Sequence, residues 1–163
     1  MIMKERRIKY RIFTEGQFSY WGFIEEEGSL HFASIIHNTG RPITIAEAQR
    51  RSEPFLFLDK SGNEVYEGDI VEQVHENSGW YEKEWWKGVV VLNEYGRPFL
   101  HAYEHHWITK EKKTRGGLTG LDLHVYFNYR HYTFQVIGNI HEHEYLLNEA
   151  KAHGWKLFGK DDQ

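Results

Sequence analysis

The 163 residues suit one domain, or one domain with a small appended lobe, and can bury a real core. The absence of cysteine excludes a disulfide framework, Cys-ligated zinc, iron–sulfur clusters and thiol catalysis, and a formal net charge of -4 argues against the broadly basic surface of a general nucleic-acid binder. Ten Phe, ten Tyr and six Trp beside a mean hydropathy of -0.68 describe a polar protein that leans to β-structure and fills its interior with rings.

Eleven histidines should make the surface charge sensitive to pH around ~6.5. Residues 1–13 are basic but hold no apolar core of secretory length, and no stretch is long enough to span a bilayer. The expected location is therefore the cytoplasm.

Along residues 8–13 (Ile-Lys-Tyr-Arg-Ile-Phe) apolar and basic side chains alternate, which predicts a strand with one solvated face. A break at 15–17, an aromatic run over 19–24, a charged turn at 25–29 and a run over 30–36 complete a small antiparallel meander. Thr44-Ile45-Ala46-Glu47 has capping-box form and predicts a short helix over 45–51, stopped by Pro54. Residues 55–58 are a short apolar strand, and 59–63 are its turn, with Gly62 able to take positive φ.

Gly68 bends the chain into a strand over 69 to about 75. Asp69 can bond local backbone amides there, and Tyr66 can place its ring in the core with its hydroxyl outward. The β-branched run of 88–92 predicts a strand buried on both faces. Between them, 75–87 place Trp80, Tyr81, Trp85 and Trp86 among Glu and Lys, which suits a long hairpin with a projecting tip. After a turn at 93–98 comes a strand over 99–103. Residues 109–120 are basic and then glycine-rich, and read as a mobile loop. Strands over 123–129 and 132–140 should pair across 128–131, and 142–152 should form a helix ended by Gly154. Short strands with frequent turn signals fit a small barrel or sandwich.

These residues carry a family resemblance. Residues 59–71, Asp-Lys-Ser-Gly-Asn-Glu-Val-Tyr-Glu-Gly-Asp-Ile-Val, resemble an Asp-Lys-x-Gly-x-x-Ile-Tyr-Glu-Gly-Asp-Ile-Val element of the YopX family, small proteins of bacteriophages and prophages. Residues 134–147, with Val-Ile-Gly-Asn-Ile-His-Glu at their centre, are similar to that family's closing motif, and 8–13 to its opening. Two departures stand out. Phe55-Leu56-Phe57-Leu58 replaces a Tyr-Thr-Gly-Leu run, and His143 stands where Asn is common, with no proline after it. The resemblance implies a mainly β fold: an SH3-like β-barrel with an N-terminal β-rich lobe and a short C-terminal helix. It divides the chain into a lobe with a short helix (1–54), a barrel carrying the aromatic hairpin (55–141), and a helix with a tail (142–163). It implies a bacterial host cytoplasm, and neither an established activity nor a site residue.

For chemistry, the sharpest metal idea joins His141 and His143 to Glu142 or Glu144, with His105, His106 or His131 as further ligands. Spacing of two brings imidazoles to one face only in extended backbone, and the His-Glu-x-x-His pattern is absent. Solvated residues at a helix start are the favoured reading, so no metal ligand and no cofactor is assigned. Ser34, Ser52, Ser61 and Ser78 lie in no Gly-x-Ser-x-Gly elbow, no phosphate loop or dinucleotide fingerprint occurs, and no catalytic residue is assigned. The reading leans away from an enzyme, with a His/carboxylate metal-dependent enzyme as an alternative.

Binding has two candidate surfaces. Trp80, Tyr81, Trp85 and Trp86 with Lys83 and Lys87 combine rings and cations, and Lys110, Lys112, Lys113 and Arg115 form a basic loop. Against this, cross-strand aromatic pairs stabilise a hairpin by themselves. The expectation is a non-enzymatic accessory module that binds a protein partner or itself and no membrane, with nucleic acid as the alternative partner.

Overall fold

The computed structural model describes residues 7–26, 29–33, 52–76, 81–126 and 133–157. The chain forms two compact units, Met1–Phe55 and Leu56–Gln163. The expected helix over 45–51 lies outside the described residues.

In the first unit β1 (Arg7–Thr14), β2 (Gln17–Glu26) and β3 (Ser29–Ala33) form the expected antiparallel meander, in the order β3-β2-β1. On its other edge β1 pairs with the start of β4 (Glu53–Leu58), which sets Arg11 opposite Glu53. Rings fill the interior: Tyr10 stacks on Trp21 at 4.5 Å, and the Trp21 indole N–H donates to the Ser52 hydroxyl at 2.7 Å. The solvated face expected of β1 fails at Arg11. Its Nε donates to Glu53 Oε2 at 2.8 Å, its guanidinium lies over the Phe18 ring, and both ion-pair side chains are more than nine-tenths buried. A paired, ring-covered guanidinium can be buried where a lone one could not.

The second unit takes the rest of β4, then β5 (Glu64–Tyr66), β6 (Asp69–Glu76), β7 (Tyr81–Leu92), β8 (Pro98–Thr109), β9 (Thr114–Tyr126) and β10 (Thr133–Asn139). The last five make an antiparallel sheet in the order β10-β6-β7-β8-β9. Its inner rows are buried on both faces, as the β-branched run predicts. One face places Ile70, Val89, Val91, Phe99 and Tyr103 against Leu147, Ala150 and Trp155 of the C-terminal segment. The other places Val71, Val90, Leu100 and Phe134 against Val65, with Leu56 and Phe57 beside them.

The two motifs from opposite ends of this unit meet as neighbouring strands, with Val71 opposite Val136, Ile70 opposite Gly138 and Asp69 opposite Asn139. Asp59 ties the seam: its carboxylate accepts the amides of Ser61, Asn63 and Val136 and the Asn63 side chain. Burial alone would raise its pKa, but these hydrogen bonds outweigh it and hold the carboxyl below the usual range. Asp69 accepts the Tyr66 amide at 2.8 Å, and Tyr66 is buried with its hydroxyl donating to Glu64 at 2.6 Å. Gly68 turns at φ +84, its amide reaching the Val90 carbonyl and its carbonyl accepting from Ile140.

Four expectations change. The strands form open sheets rather than a closed barrel, since β9 and β10 stand at opposite edges of the sheet instead of bonding to each other. For the same reason the expected pairing of 123–129 with 132–140 does not occur among the described residues: β9 pairs β8, and β10 pairs β6. The supposed mobile loop is a strand from Thr114 onward, and a Cβ at Gly116 would sit 2.1 Å from the His105 carbonyl oxygen, so glycine here permits close strand approach. The C-terminal helix begins later, as a 3-10 turn (Glu144–Leu147) running into α1 (Asn148–Ala152). The Asn139 carboxamide oxygen takes up the amides of His141 and Glu142 before it. His143 Nδ1 accepts the Asn139 amide at 3.3 Å, a bond that an asparagine oxygen could also make.

Candidate binding surface on the β7–β9 ribbon

Beyond the buried rows, β7, β8 and β9 run on as a ribbon, with β6 still paired to β7 as far as Glu76 opposite Lys83. Its start is marked by a bulge: Gly88 faces Ala102 and Lys87 faces Glu104, which leaves Tyr103 as the extra residue. The Tyr103 ring packs edge-on to Trp155, and burial, with Glu104 and Glu72 nearby, pushes its phenol well above the ordinary tyrosine range.

Alternation past the bulge sends consecutive residues to opposite faces, and the contacts confirm the assignment. On one face Trp85 stacks on His106 at 5.1 Å, the Lys83 ammonium lies 5.8 Å from the Trp85 ring, and Glu104 bonds both Lys87 (3.2 Å) and His106 (2.6 Å). On the other, Trp86 stacks on His105 with centroids 3.3 Å apart and planes 3° from parallel. His105 Nε2 bonds Glu84 at 2.9 Å, and the rings continue from His105 to Trp107 (4.8 Å) and from Trp107 to Tyr81 (5.8 Å). Burial lowers the His105 pKa more than the Glu84 carboxylate raises it, so its imidazole stays neutral to lower pH than usual.

Where this second face meets the buried rows lies Gln73, in register with Trp86 on one side and Phe134 on the other. It is fully buried, and among the described residues neither its carboxamide oxygen nor its nitrogen has a hydrogen-bond partner.

The residues expected to bind separate into three groups. Trp80 lies outside the described residues. Tyr81, Lys83, Trp85, Trp86 and Lys87 are on β7 itself rather than at a tip, and Trp85 and Trp86 point to opposite faces, so they do not make one platform. Trp86 packs against the buried Val71–Val90–Leu100 cluster, and Lys87 is engaged by Glu104. Lys110, Lys112, Lys113 and Arg115 lie together at the β8–β9 turn and are all exposed. The turn is closed by the Thr109 amide to the Lys113 carbonyl and the Lys112 amide to the Thr109 carbonyl.

On β8, sequence reasoning missed Glu104 and Trp107 and took His105 and His106 only as possible metal ligands. The strand was expected to stop at Tyr103. The signal was the run Glu104-His105-His106-Trp107-Ile108-Thr109, which has strand-forming rings and no turn residue. Of the metal candidates, His131 lies outside the described residues, His141 is exposed, and His143 uses Nδ1 for the Asn139 amide. Among the described residues no three His, Asp or Glu side chains gather as a cation site, and no helix is long and apolar enough to cross a membrane.

No curated protein and no solved structure matches the chain. The YopX family, described as YopX protein, matches residues 56–148. That span is more than half of the chain and takes in the paired motifs, the ribbon and the start of the C-terminal helical segment. The chain belongs to the YopX family.

Proposed function

We propose that this is a phage-type accessory protein that acts by binding a macromolecule, with the outer part of the β7–β9 ribbon as its contact surface. The observation that carries the reading is that the ribbon's rings and cations extend past the rows whose burial holds the unit together. Half-buried Tyr81 and Trp107 offer ring area of the kind that anchors interfaces, and the adjoining turn offers four exposed cations. The SH3-like arrangement that the family resemblance implied would not decide the function, because scaffolds of that kind serve many unrelated ones.

The test is Trp107→Ala in the full chain, with self-association followed by sedimentation and partner capture followed from cells in which the protein is expressed. Association or capture should fall at least about tenfold with the circular dichroism spectrum unchanged, in line with the loss of one interface anchor. Unchanged association and capture would remove the ribbon from consideration.

A further inference from the structure

We infer that the occupant of this surface is single-stranded nucleic acid, its phosphates held by the β8–β9 turn and its bases stacked on the half-buried rings of Trp107 and Tyr81 beside it. The inference rests on the binding reading above and adds the class of partner.

Charge is the first ground. Lys110, Lys112, Lys113 and Arg115 are exposed, and among the described residues none has a carboxylate partner, whereas Lys87 further along the same ribbon is paired with Glu104. The turn is therefore a local excess of positive charge on a chain of net charge -4, suited to a polyanion that engages only there. Placement is the second. Cross-strand register sets Arg115 opposite Trp107, and from Trp107 the rings of His105 and Trp86 follow on one face, with Tyr81 on the side nearer the turn. Cations beside the half-buried rings of Trp107 and Tyr81 match the two needs of a single strand, whose phosphates are anionic and whose bases have free π-faces. A duplex offers only the phosphates. The third ground is Lys112, which sits at φ +61, a backbone conformation that glycine or asparagine adopts at less cost. A cation is held at a position where the backbone alone favours another residue.

The experiment is fluorescence anisotropy on the full chain with labelled oligo(dT), oligo(U), a duplex, and poly-glutamate as a competing polyanion. Four phosphate contacts predict that affinity for a single strand falls about 50-fold between about 50 and 200 mM salt, a slope of about -3. Lys112→Gly removes one charge and relieves the left-handed backbone. It should melt at a higher temperature yet bind more weakly, with a slope shallower by about 0.7, a combination that unfolding cannot produce. Trp107→Ala should weaken binding by about 5- to 150-fold and Trp107→Phe far less. Binding of either oligo(dT) or oligo(U) supports the inference, and the ratio between them tells DNA from RNA. The inference is overturned by no binding at low salt, by a duplex or poly-glutamate binding as tightly as the single strands, or by a Lys112→Gly slope equal to the parent's. If the oligonucleotides fail while Trp107→Ala still abolishes self-association or protein capture, the binding reading stands and the nucleic-acid inference falls. If both fail, both readings fall.

Discussion

Val89, Val90 and Leu100 share their strands with Trp85, Trp86 and Trp107, yet the two stretches are stabilised in different ways. The inner stretch is aliphatic, has no exposed surface at Val89, Val90 or Leu100, and depends on layers packed above and below it. Each such side chain contributes about 1.5–3 kcal/mol by burial. The outer stretch holds itself together through ring pairs worth about 0.5–1.5 kcal/mol each, the Lys87–Glu104 pair and the hydrogen bonds of His105 to Glu84 and His106 to Glu104. The lesson is that the inner rows are held by burial from both sides, while the outer rows, Trp86 apart, are held mainly by pairs made among themselves. A surface of that second kind is free to serve a partner.

The largest expected effect lies in the inner stretch. Leu100→Ala should lower stability by about 2–5 kcal/mol in urea unfolding, by loss of transfer energy plus a cavity. Trp107→Ala should lower it by less than half as much, and equal losses would show that the ribbon is core after all. A smaller effect of opposite sign is expected at the border. Gln73→Leu removes a buried carboxamide that has no partner among the described residues and should raise stability by about 1 kcal/mol or more. A loss instead would mean that a buried water satisfies the amide.

The smallest effect is the pH dependence of the outer stretch. The His105 pKa is lowered in the folded state, so the unfolded chain takes up the proton first. The His105 contribution is fully present above the unfolded value of about 6.5 and is lost as pH falls below it toward the lower folded value. In His105→Gln the decline of melting temperature over that acid range should be shallower than in the parent. An identical decline would mean that other histidines carry it.

Much of the inner stretch was legible in the sequence. The β-branched run marked a strand covered on both faces, and Asp59, Tyr66 and Asp69 take the turn and core positions that their chemistry suggests. The open-sheet topology was not legible, because alternation tells which face a residue occupies and not which strand lies beside it. That is why 132–140 was paired with the wrong neighbour. Composition misled at residues 114–120, where Gly116, which reads as loop, serves a close strand pair. In the candidate surface the tryptophans were visible but their partners were not. The bulge that inserts Tyr103 shifts the alternation of β8 by one residue, and no local signal announces it.

The pairing of β6 with β10 also bears on how the chain must be made. Residues 69–76 leave the ribosome well before 133–139, so β6 waits with one edge unpaired while the whole ribbon is synthesised. During that interval Ile70 and Val71 lie on an open edge, the kind that recruits strands from other chains. Arrival of Asn139 closes that edge, and its side chain goes on to start the turn that brings Leu147, Ala150 and Trp155 over the sheet. Residues 133–157 thus cover both the edge and the face that residues 69–76 would otherwise leave open to other chains.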